Sequence, residues 1–189
     1  LLLRPNLAPE KLSMLTLLMA YAVAKGLVET TNLQPRIKWP NDLVLGNKKV
    51  CGILSEMKLD GRRAAYCVIG VGINIGQKVF AQELKDKATS LELEGVMVDA
   101  ERLLEAVLKA FNHLYDTFIA TGDLDFIMDE YNKILAGRNH LVRVLEPGRE
   151  FEGKSLGING MGELLVEREE GTIQQVYAGE VSVRGLYGY

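Results

Sequence analysis

Residues 38–54, KWPNDLVLGNKKVCGIL, decide the fold because turn residues and charged residues alternate in them with short apolar runs. Trp39, the single tryptophan of the chain, is followed closely by a proline, an amide, a carboxylate and two lysines. Pro40 restricts Trp39 to an extended backbone, and Gly46-Asn47 is typical of a hairpin tip. Strand interiors rarely carry so many charged residues. The stretch therefore favours a hairpin that presents a site for a negatively charged ligand.

The hairpin brings Lys48 or Lys49 back towards Asp42 if the chain reverses at Gly46-Asn47. One carboxylate beside one ammonium forms either a surface ion pair or a site for a phosphate with a divalent cation, and the spacing does not choose between them. Adjacent residues of a strand point to opposite faces. This alternation predicts Lys49 on the face of Cys51 and Lys48 on the face of Gly52.

A second glycine-containing run lies at residues 68–76, VIGVGINIG, and its apolar residues predict a strand. The run lacks the third glycine and the following helix of a dinucleotide-binding fingerprint, so we reject a Rossmann site. Gly70 and Gly72 leave one strand face without side chains, where a planar ligand could lie against the backbone. Asn74 would stand at the edge of that ligand. For these glycines and for Gly52, a bulge or tight packing remains the alternative interpretation.

Three segments have the apolar spacing of helices. Pro9 suits the first turn of a helix over residues 9–30. Asp99 can cap a second helix, which runs to Thr121 and ends at Gly122. A third helix is predicted over residues 124–135.

Short apolar and β-branched runs predict strands between these helices, with turns that indicate antiparallel pairing. The predicted strands are Arg36–Trp39, Leu43–Leu45, Val50–Leu59 and Ala64–Asn74, and the hairpin tips are Gly46-Asn47 and Asp60-Gly61. From Leu141 onwards, short strands separated by glycines are typical of a small β-barrel. We therefore predict an α+β fold with two domains, residues 1–138 and residues 139–189.

Composition narrows the class of protein. A net charge of −3 gives no reason to expect a large basic surface for nucleic acid. Cys51 and Cys67 lie in apolar runs, which predicts reduced core residues and a cytoplasmic location. No apolar run reaches the roughly 18 residues that a membrane span needs, so no membrane association is expected. His113 and His140 have no nearby metal-ligand partners in sequence, and we assign them no catalytic role.

Taken together, these motifs resemble those of the biotin protein ligases, the biotin–[acetyl-CoA-carboxylase] ligase or BirA family. The matching segments follow the family's order from Leu1 to Arg184, which is nearly the whole chain. They are KWPND at 38–42, KVCGIL at 49–54, GVGIN at 70–74, ATSL at 88–91 and GEVSVR at 179–184. The first two are highly specific in combination, whereas the glycine run alone is not.

The resemblance implies a mixed sheet with helices, like that of class II aminoacyl-tRNA synthetases and lipoate ligases, followed by a small SH3-like barrel. It also implies a two-step reaction. The biotin carboxylate attacks the α-phosphate of ATP to give biotinyl-5′-AMP and pyrophosphate. A lysine of the biotin carboxyl carrier protein of acetyl-CoA carboxylase then attacks this mixed anhydride. The implied ligands are ATP, biotin and Mg²⁺, and a homodimer through a sheet edge is a further expectation.

The resemblance also assigns roles to individual residues. Lys49 corresponds to the catalytic lysine, beside the biotin carboxylate and the α-phosphate, and Asp42 to a residue that holds Mg²⁺. The residues expected to contact biotin are Lys49, Gly52, Ile53, Leu54, Gly70 and Gly72. The residues expected to contact the nucleotide are Asn41, Asn74, Glu180 and Arg184.

Parts of the family pattern have no counterpart in these residues. They are a Gly-Arg-rich loop, a Ser-Thr pair and a glutamine that contact biotin, and an N-terminal winged-helix domain. We therefore expect the isolated polypeptide to be a poor ligase and expect no DNA binding by this chain. Two alternatives stay open, a relative of the lipoate or octanoyl ligases and a non-catalytic biotin-binding or regulatory module. The Trp-Pro-Asn-Asp run argues against the first, and the missing loop favours the second.

Overall fold

The chain folds into two five-stranded antiparallel sheets and three α-helices in the computed structural model, which describes residues 1–61, 63–145, 150–177 and 182–185. The helices are α1 (Met14–Thr31), α2 (Ala100–Thr121) and α3 (Asp125–Lys133). The first sheet contains β1 (Leu2–Leu3), β2 (Arg36–Lys38), β3 (Asp42–Leu45), β4 (Lys48–Asp60) and β5 (Arg63–Ile73). The second contains β6 (Leu141–Leu145), β7 (Phe151–Ile158), β8 (Leu164–Glu167), β9 (Ile173–Val176) and β10 (Ser182–Gly185).

The first sheet has the strand order β1-β5-β4-β3-β2. Its two predicted hairpin tips are confirmed, because Gly46 and Gly61 both adopt the left-handed conformation, with φ of 57° and 60°. Parallel pairing occurs, among the described residues, in two isolated bridges, Ile37 with Leu135 and Lys49 with Ala88. The second bridge attaches a loop directly to the strand that carries Lys49.

The predicted helices are confirmed, with one change at the first. Pro9 begins a 3₁₀ turn over Pro9–Lys11, and the α-helix itself starts only at Met14. In α2 the Asp99 carboxylate accepts hydrogen bonds from the backbone amides of Glu101 and Arg102, and Gly122 ends the helix with φ of 77°.

Helix α1 is the centre of the molecule, because it is buried on almost all sides between the first sheet and α2. The expectation from the sequence that no apolar run is long enough for a membrane span is wrong for Pro9–Thr31. By length and composition alone this segment is apolar enough to cross a membrane, with a mean hydropathy of 1.4. The structure buries 72% of that apolar window inside the protein. A central core helix therefore explains the composition of this segment.

The second sheet has the order β10-β6-β7-β8-β9. Its strands agree with the glycine-separated strands predicted from Leu141 onwards. No pairing joins β9 to β10 among the described residues, so the sheet is not seen to close. The SH3-like barrel stays a prediction, while the α+β class is confirmed.

The two sheets belong to one hydrophobic core. Apolar residues of β6, β7 and β8 lie in the same buried cluster as α1 and α2. Asn132 of α3 joins the halves through two bonds to Ile158, because its Nδ2 donates to the Ile158 carbonyl at 3.0 Å and its Oδ1 accepts from the Ile158 amide at 2.7 Å. The domain boundary between residues 138 and 139 stays a prediction.

The α3 residue Tyr131 is fully buried, and its hydroxyl has no hydrogen-bond partner among the described residues. Burial raises the pKa of this phenol above its usual value. An unsatisfied buried hydroxyl costs about 1–3 kcal/mol. We expect Tyr131→Phe to increase the free energy of unfolding by about 1 kcal/mol in urea denaturation. Tyr21→Phe, at the neighbouring half-buried ring, serves as the control, and a loss of stability in Tyr131→Phe would contradict the expectation.

Candidate functional site

A patch without side chains lies on one face of the first sheet. Gly52 of β4 pairs with Gly72 of β5, and Leu54 pairs with Gly70 one step along the same face. A Cβ atom placed at Gly70 or Gly72 would have as its nearest neighbour a backbone oxygen, at 3.7 and 3.9 Å respectively. The predicted bare strand face is therefore confirmed. We call Gly52, Gly70 and Gly72 the glycine face.

The opposite face of the sheet is buried against α1. Cys51, Ile53, Cys67 and Ile69 lie there, each no more than 2% exposed. The Thr16 hydroxyl of α1 contacts the Ser55 hydroxyl of β4 at 2.6 Å on this side. The glycine face consequently has a largely buried apolar layer beneath it.

Lys49 lies on the glycine face, not on the face of Cys51 as strand alternation predicted. The reason is a bulge: Leu43 pairs with Cys51 but Val44 pairs with Lys49, which leaves Val50 without a partner in β3. The extra residue reverses the direction of the Lys49 side chain. A Cβ atom at Gly52 would lie 2.9 Å from both Cε and Nζ of Lys49.

Asp42 and Lys49 form an ion pair at the edge of the glycine face. Their Oδ1 and Nζ atoms are 2.5 Å apart. The hairpin at Gly46-Asn47 predicted that Lys48 or Lys49 would approach Asp42, and in the structure it is Lys49. The Lys49 side chain is 46% exposed and that of Asp42 is 20% exposed. Exposed ion pairs contribute about 0–1 kcal/mol to stability. The half-exposed ammonium can therefore contact a second anion at little cost to the fold.

The Oδ1 atom of Asp42 is itself buried, and it forms no hydrogen bond among the described residues. The short approach of Lys49 Nζ is thus an ion contact that lacks hydrogen-bond geometry. The Lys49 ammonium is the charged neighbour of this oxygen. A hard cation could take its place, because carboxylate oxygens are the ligands that such cations prefer.

Asn41 and Asn74 use their amide groups to hold the site together. Asn41 Nδ2 donates to the Ile53 carbonyl at 2.9 Å, while the Asn41 carbonyl accepts from the Ile53 amide at 2.8 Å. Asn74 Nδ2 donates to the Thr89 carbonyl at 3.0 Å. The nucleotide contacts predicted for both residues stay predictions.

Residues 87–90 form part of the site and were noticed in the sequence only as the ATSL motif. The Lys49 amide donates to the Lys87 carbonyl at 2.8 Å, and the Thr89 amide donates to the Lys49 carbonyl at 2.9 Å. These two bonds fix the backbone of Lys49 from the side opposite to β3. Nothing in the local pattern of residues 81–90 predicts this pairing, because the partners are about forty residues apart.

Of the remaining predicted site residues, only one has a described side chain on the glycine face. Leu54 stands on the glycine face and is 65% exposed, but the side chain of Ile53 is buried on the other face, so a ligand could meet only its backbone. Glu180 lies outside the described residues. Arg184 belongs to β10, opposite Arg143 of β6, and its side chain lies outside the described part of the chain.

The two cysteines are free and buried, as predicted. Burial, assisted by the negative charge of Asp42, raises the pKa of the Cys51 thiol to about 12, although Lys49 opposes the shift. A raised pKa keeps the thiol protonated and unreactive at neutral pH.

We expect native Cys51 to resist iodoacetamide at pH 8 and to react after unfolding in urea. Because the thiol keeps its proton in the native state, the free energy of unfolding should fall as the pH rises from about 9 towards 12. Mass spectrometry of the alkylated peptide measures the reaction. A native alkylation rate that already levels off near pH 9 would contradict the raised pKa.

Two cavities lie away from the glycine face. One, of about 400 Å³, lies between the buried face of the sheet and α2, and apolar residues that include Val71, Ile73 and Leu103 line it. The other, of about 480 Å³, lies between the three helices and includes His113. Neither contains a residue predicted to bind biotin or nucleotide. No cluster of three or more metal-ligating side chains occurs in the described ranges.

Comparisons with known proteins identify relatives of both halves. Residues 1–74 match the biotin/lipoate A/B protein ligase family, and residues 141–184 match the biotin protein ligase C-terminal domain. The bifunctional ligase/repressor BirA of Bacillus subtilis is 37% identical over 188 residues, which are 97% of this chain and 57% of that protein. The biotin–[acetyl-CoA-carboxylase] ligase of Paracoccus denitrificans is 36% identical over 118 residues, which are 59% of this chain and 49% of that protein.

A solved structure shares the arrangement of helices and sheets. The biotin protein ligase from Aquifex aeolicus, in complex with biotin and ATP, superimposes with a TM-score of 0.81 at 29% identity. The match covers 95% of this chain and 76% of that one. The chain spans about half the length of the curated relatives it matches.

Proposed function

This chain belongs to the biotin protein ligase family, and on that premise we propose that it carries part of the active site of an ATP-dependent biotin ligase. The observation that carries the proposal is the glycine face with the Lys49–Asp42 pair at its edge. A surface without side chains accepts a fused-ring ligand, and a half-exposed ammonium beside it binds the ligand's carboxylate. These are two of the parts that biotin activation requires.

The glycine face would bind the biotin rings against the backbone of β4 and β5. Ligand sites of this kind combine apolar contact with a few polar groups that fix orientation. The exposed Leu54 side chain supplies apolar contact, and Lys49 Nζ supplies the polar anchor. Biotin would then lie with its carboxylate over the ion pair.

In the first step a carboxylate oxygen of biotin attacks the α-phosphorus of ATP. The new P–O bond forms as the bond to the bridging oxygen breaks, and pyrophosphate leaves with that electron pair. Negative charge grows on the α-phosphate in the transition state. Asp42 holds the Lys49 ammonium and the bonds to residues 87–89 hold the Lys49 backbone, so the positive charge is preorganised to stabilise this negative charge.

In the second step the acceptor is a lysine amine of a carrier protein. The amine attacks the acyl carbon of biotinyl-5′-AMP, an amide bond forms, and AMP leaves. The name of the Paracoccus denitrificans relative suggests acetyl-CoA carboxylase as the source of the acceptor, the biotin carboxyl carrier protein. Cytoplasmic activity and a homodimer through a sheet edge also remain proposals.

The residues of this site fit a magnesium ion that binds together with the nucleotide. Mg²⁺ is usually held by one or two carboxylates together with substrate phosphates and water. Asp42 offers one carboxylate, whose buried Oδ1 lacks a hydrogen bond among the described residues. The described residues contain no cluster that could hold the ion without a substrate. Asp42 would contact an ion that arrives with ATP, and that ion would screen the phosphate charges.

Pyrophosphate–ATP exchange by the natural full-length protein tests the proposal. We expect exchange that depends on biotin and labelling of a carrier-protein lysine. Exchange with lipoate or octanoate but not with biotin would favour the relative of the lipoate ligases. Biotin binding without exchange would favour the non-catalytic binding module, and both of these results would contradict the proposal.

A further inference from the structure

A buried hydrogen bond joins the turn at residues 39–42, which carries Asp42, to the turn between β7 and β8 of the second sheet. The Nε1–H group of Trp39 donates to the carbonyl of Gly162 at 3.1 Å, across 123 positions in sequence. Trp39 is only 4% exposed. A buried indole N–H that lost this acceptor would be left unsatisfied, which costs about 1–3 kcal/mol. The bond therefore holds the Trp39 ring in one place.

The acceptor of this bond is rigidly placed. Gly162 has φ of 75° in the turn between β7 and β8, and a Cβ atom there would lie 3.0 Å from Leu17 of α1 and 3.3 Å from Leu124. The side chain of Asn159 closes the same turn, because its Oδ1 accepts from the amides of Met161 and Glu163. The Gly162 carbonyl is consequently fixed against the central helix.

The residues that directly follow Trp39 belong to the proposed active site. Trp39 opens the turn that leads through Asn41 to Asp42. Asn41 is bonded twice to Ile53 of β4, and Asp42 contacts Lys49. The turn is thus held at one end by the second sheet and at the other end by β4. Because Asp42 is only three positions after Trp39, a shift of Trp39 would move the backbone that carries the Asp42 carboxylate.

We infer that Trp39 is a positioning residue: its bond to Gly162 fixes the turn at residues 39–42 and thereby the distance between the Asp42 carboxylate and Lys49 Nζ. The inference rests on the proposed function, because it assigns a consequence to the geometry of that pair. Trp39 itself is buried, so the inference gives it no direct contact with a substrate. Two of the three residues of the glycine face, Gly70 and Gly72, lie on β5, which does not pair with this turn.

The test removes the N–H donor of Trp39 and keeps the size of its ring. Site-specific replacement of Trp39 by a benzothienyl-alanine preserves the shape of the indole without its N–H group, and Trp39→Phe is the simpler second variant. We expect kcat/KM for ATP in adenylate formation to fall about 10- to 100-fold, since displacement by about 1 Å can cost that much. The dissociation constant for biotin in the absence of ATP should rise by a smaller factor, because the glycine face keeps its contacts with the rings while only the Lys49 anchor shifts.

Arg138→Gln is the matched control. Arg138 also joins the two halves, because its Nε donates to the Leu156 carbonyl of β7 at 3.0 Å, but it lies away from the turn. We expect this variant to keep the full rate of adenylate formation. Equal losses in both variants would mean that weakening any contact between the two halves slows adenylate formation. That result would overturn the inference.

A structural measurement needs no ligase activity. Crystal structures of the Trp39 variants and of the control would show whether the Asp42 carboxylate has moved from its 2.5 Å contact with Lys49. An unchanged contact in the Trp39 variants would overturn the inference. Absence of biotin-dependent exchange in the unaltered protein would instead contradict the proposed function, so the two failures are distinguishable.

Discussion

Lys49→Ala is expected to lower the rate of biotinyl-adenylate formation by about 10²- to 10³-fold, which is the usual cost of one preorganised contact to a developing charge. The fold should survive, because the Lys49–Asp42 pair is partly exposed and contributes little to stability. The backbone bonds of Lys49 to residues 87–89 do not involve its side chain and remain in the variant. Rapid-quench measurement of labelled adenylate gives the rate.

Lys48→Ala is the matched control for this prediction. Lys48 is the adjacent residue and carries the same charge, but it is exposed and its Nζ contacts only the Lys85 carbonyl, at 3.4 Å, among the hydrogen bonds seen. It should leave the rate unchanged. Wild-type turnover in Lys49→Ala, or equal losses in both variants, would remove Lys49 from its catalytic role.

Gly72→Val is expected to weaken biotin binding by about 10- to 100-fold without destabilising the protein. The new side chain has room in the free protein, because the nearest atom to its Cβ is the Gly52 carbonyl oxygen at 3.9 Å. Valine also suits a strand. It would occupy the space proposed for the biotin rings, and overpacking of this kind costs about 1–3 kcal/mol, with each 1.4 kcal/mol equal to about a factor of ten in affinity.

Gly76→Ala is the control for the glycine face. Gly76 follows β5, and a Cβ atom there would meet Glu92 Oε2 at an ordinary 3.5 Å. We expect isothermal titration calorimetry to give the unaltered dissociation constant for this variant. Undiminished biotin affinity in Gly72→Val would show that the rings bind elsewhere.

Local chemistry made much of the fold predictable. The cap at Asp99, the stop at Gly122 and the hairpin tip at Gly46 each depend on residues within a few positions. The approach of Lys49 to Asp42 followed from that hairpin and is confirmed.

Features that depend on distant residues were not predicted correctly. The bulge at Val50 reversed the face of Lys49, because strand alternation gives the wrong face once one residue is unpaired. The bonds from Lys49 to residues 87–89 and from Trp39 to Gly162 join segments that only the folded chain brings together. Long-range partners of this kind leave no spacing pattern in a single sequence.

A structure of the natural full-length protein with biotin bound tests the central claim most directly. The claim predicts the fused rings on Gly52, Gly70 and Gly72, with a biotin carboxylate oxygen within hydrogen-bond distance of Lys49 Nζ. Biotin in the apolar cavity between the sheet and α2, or a carboxylate remote from Lys49, would contradict it.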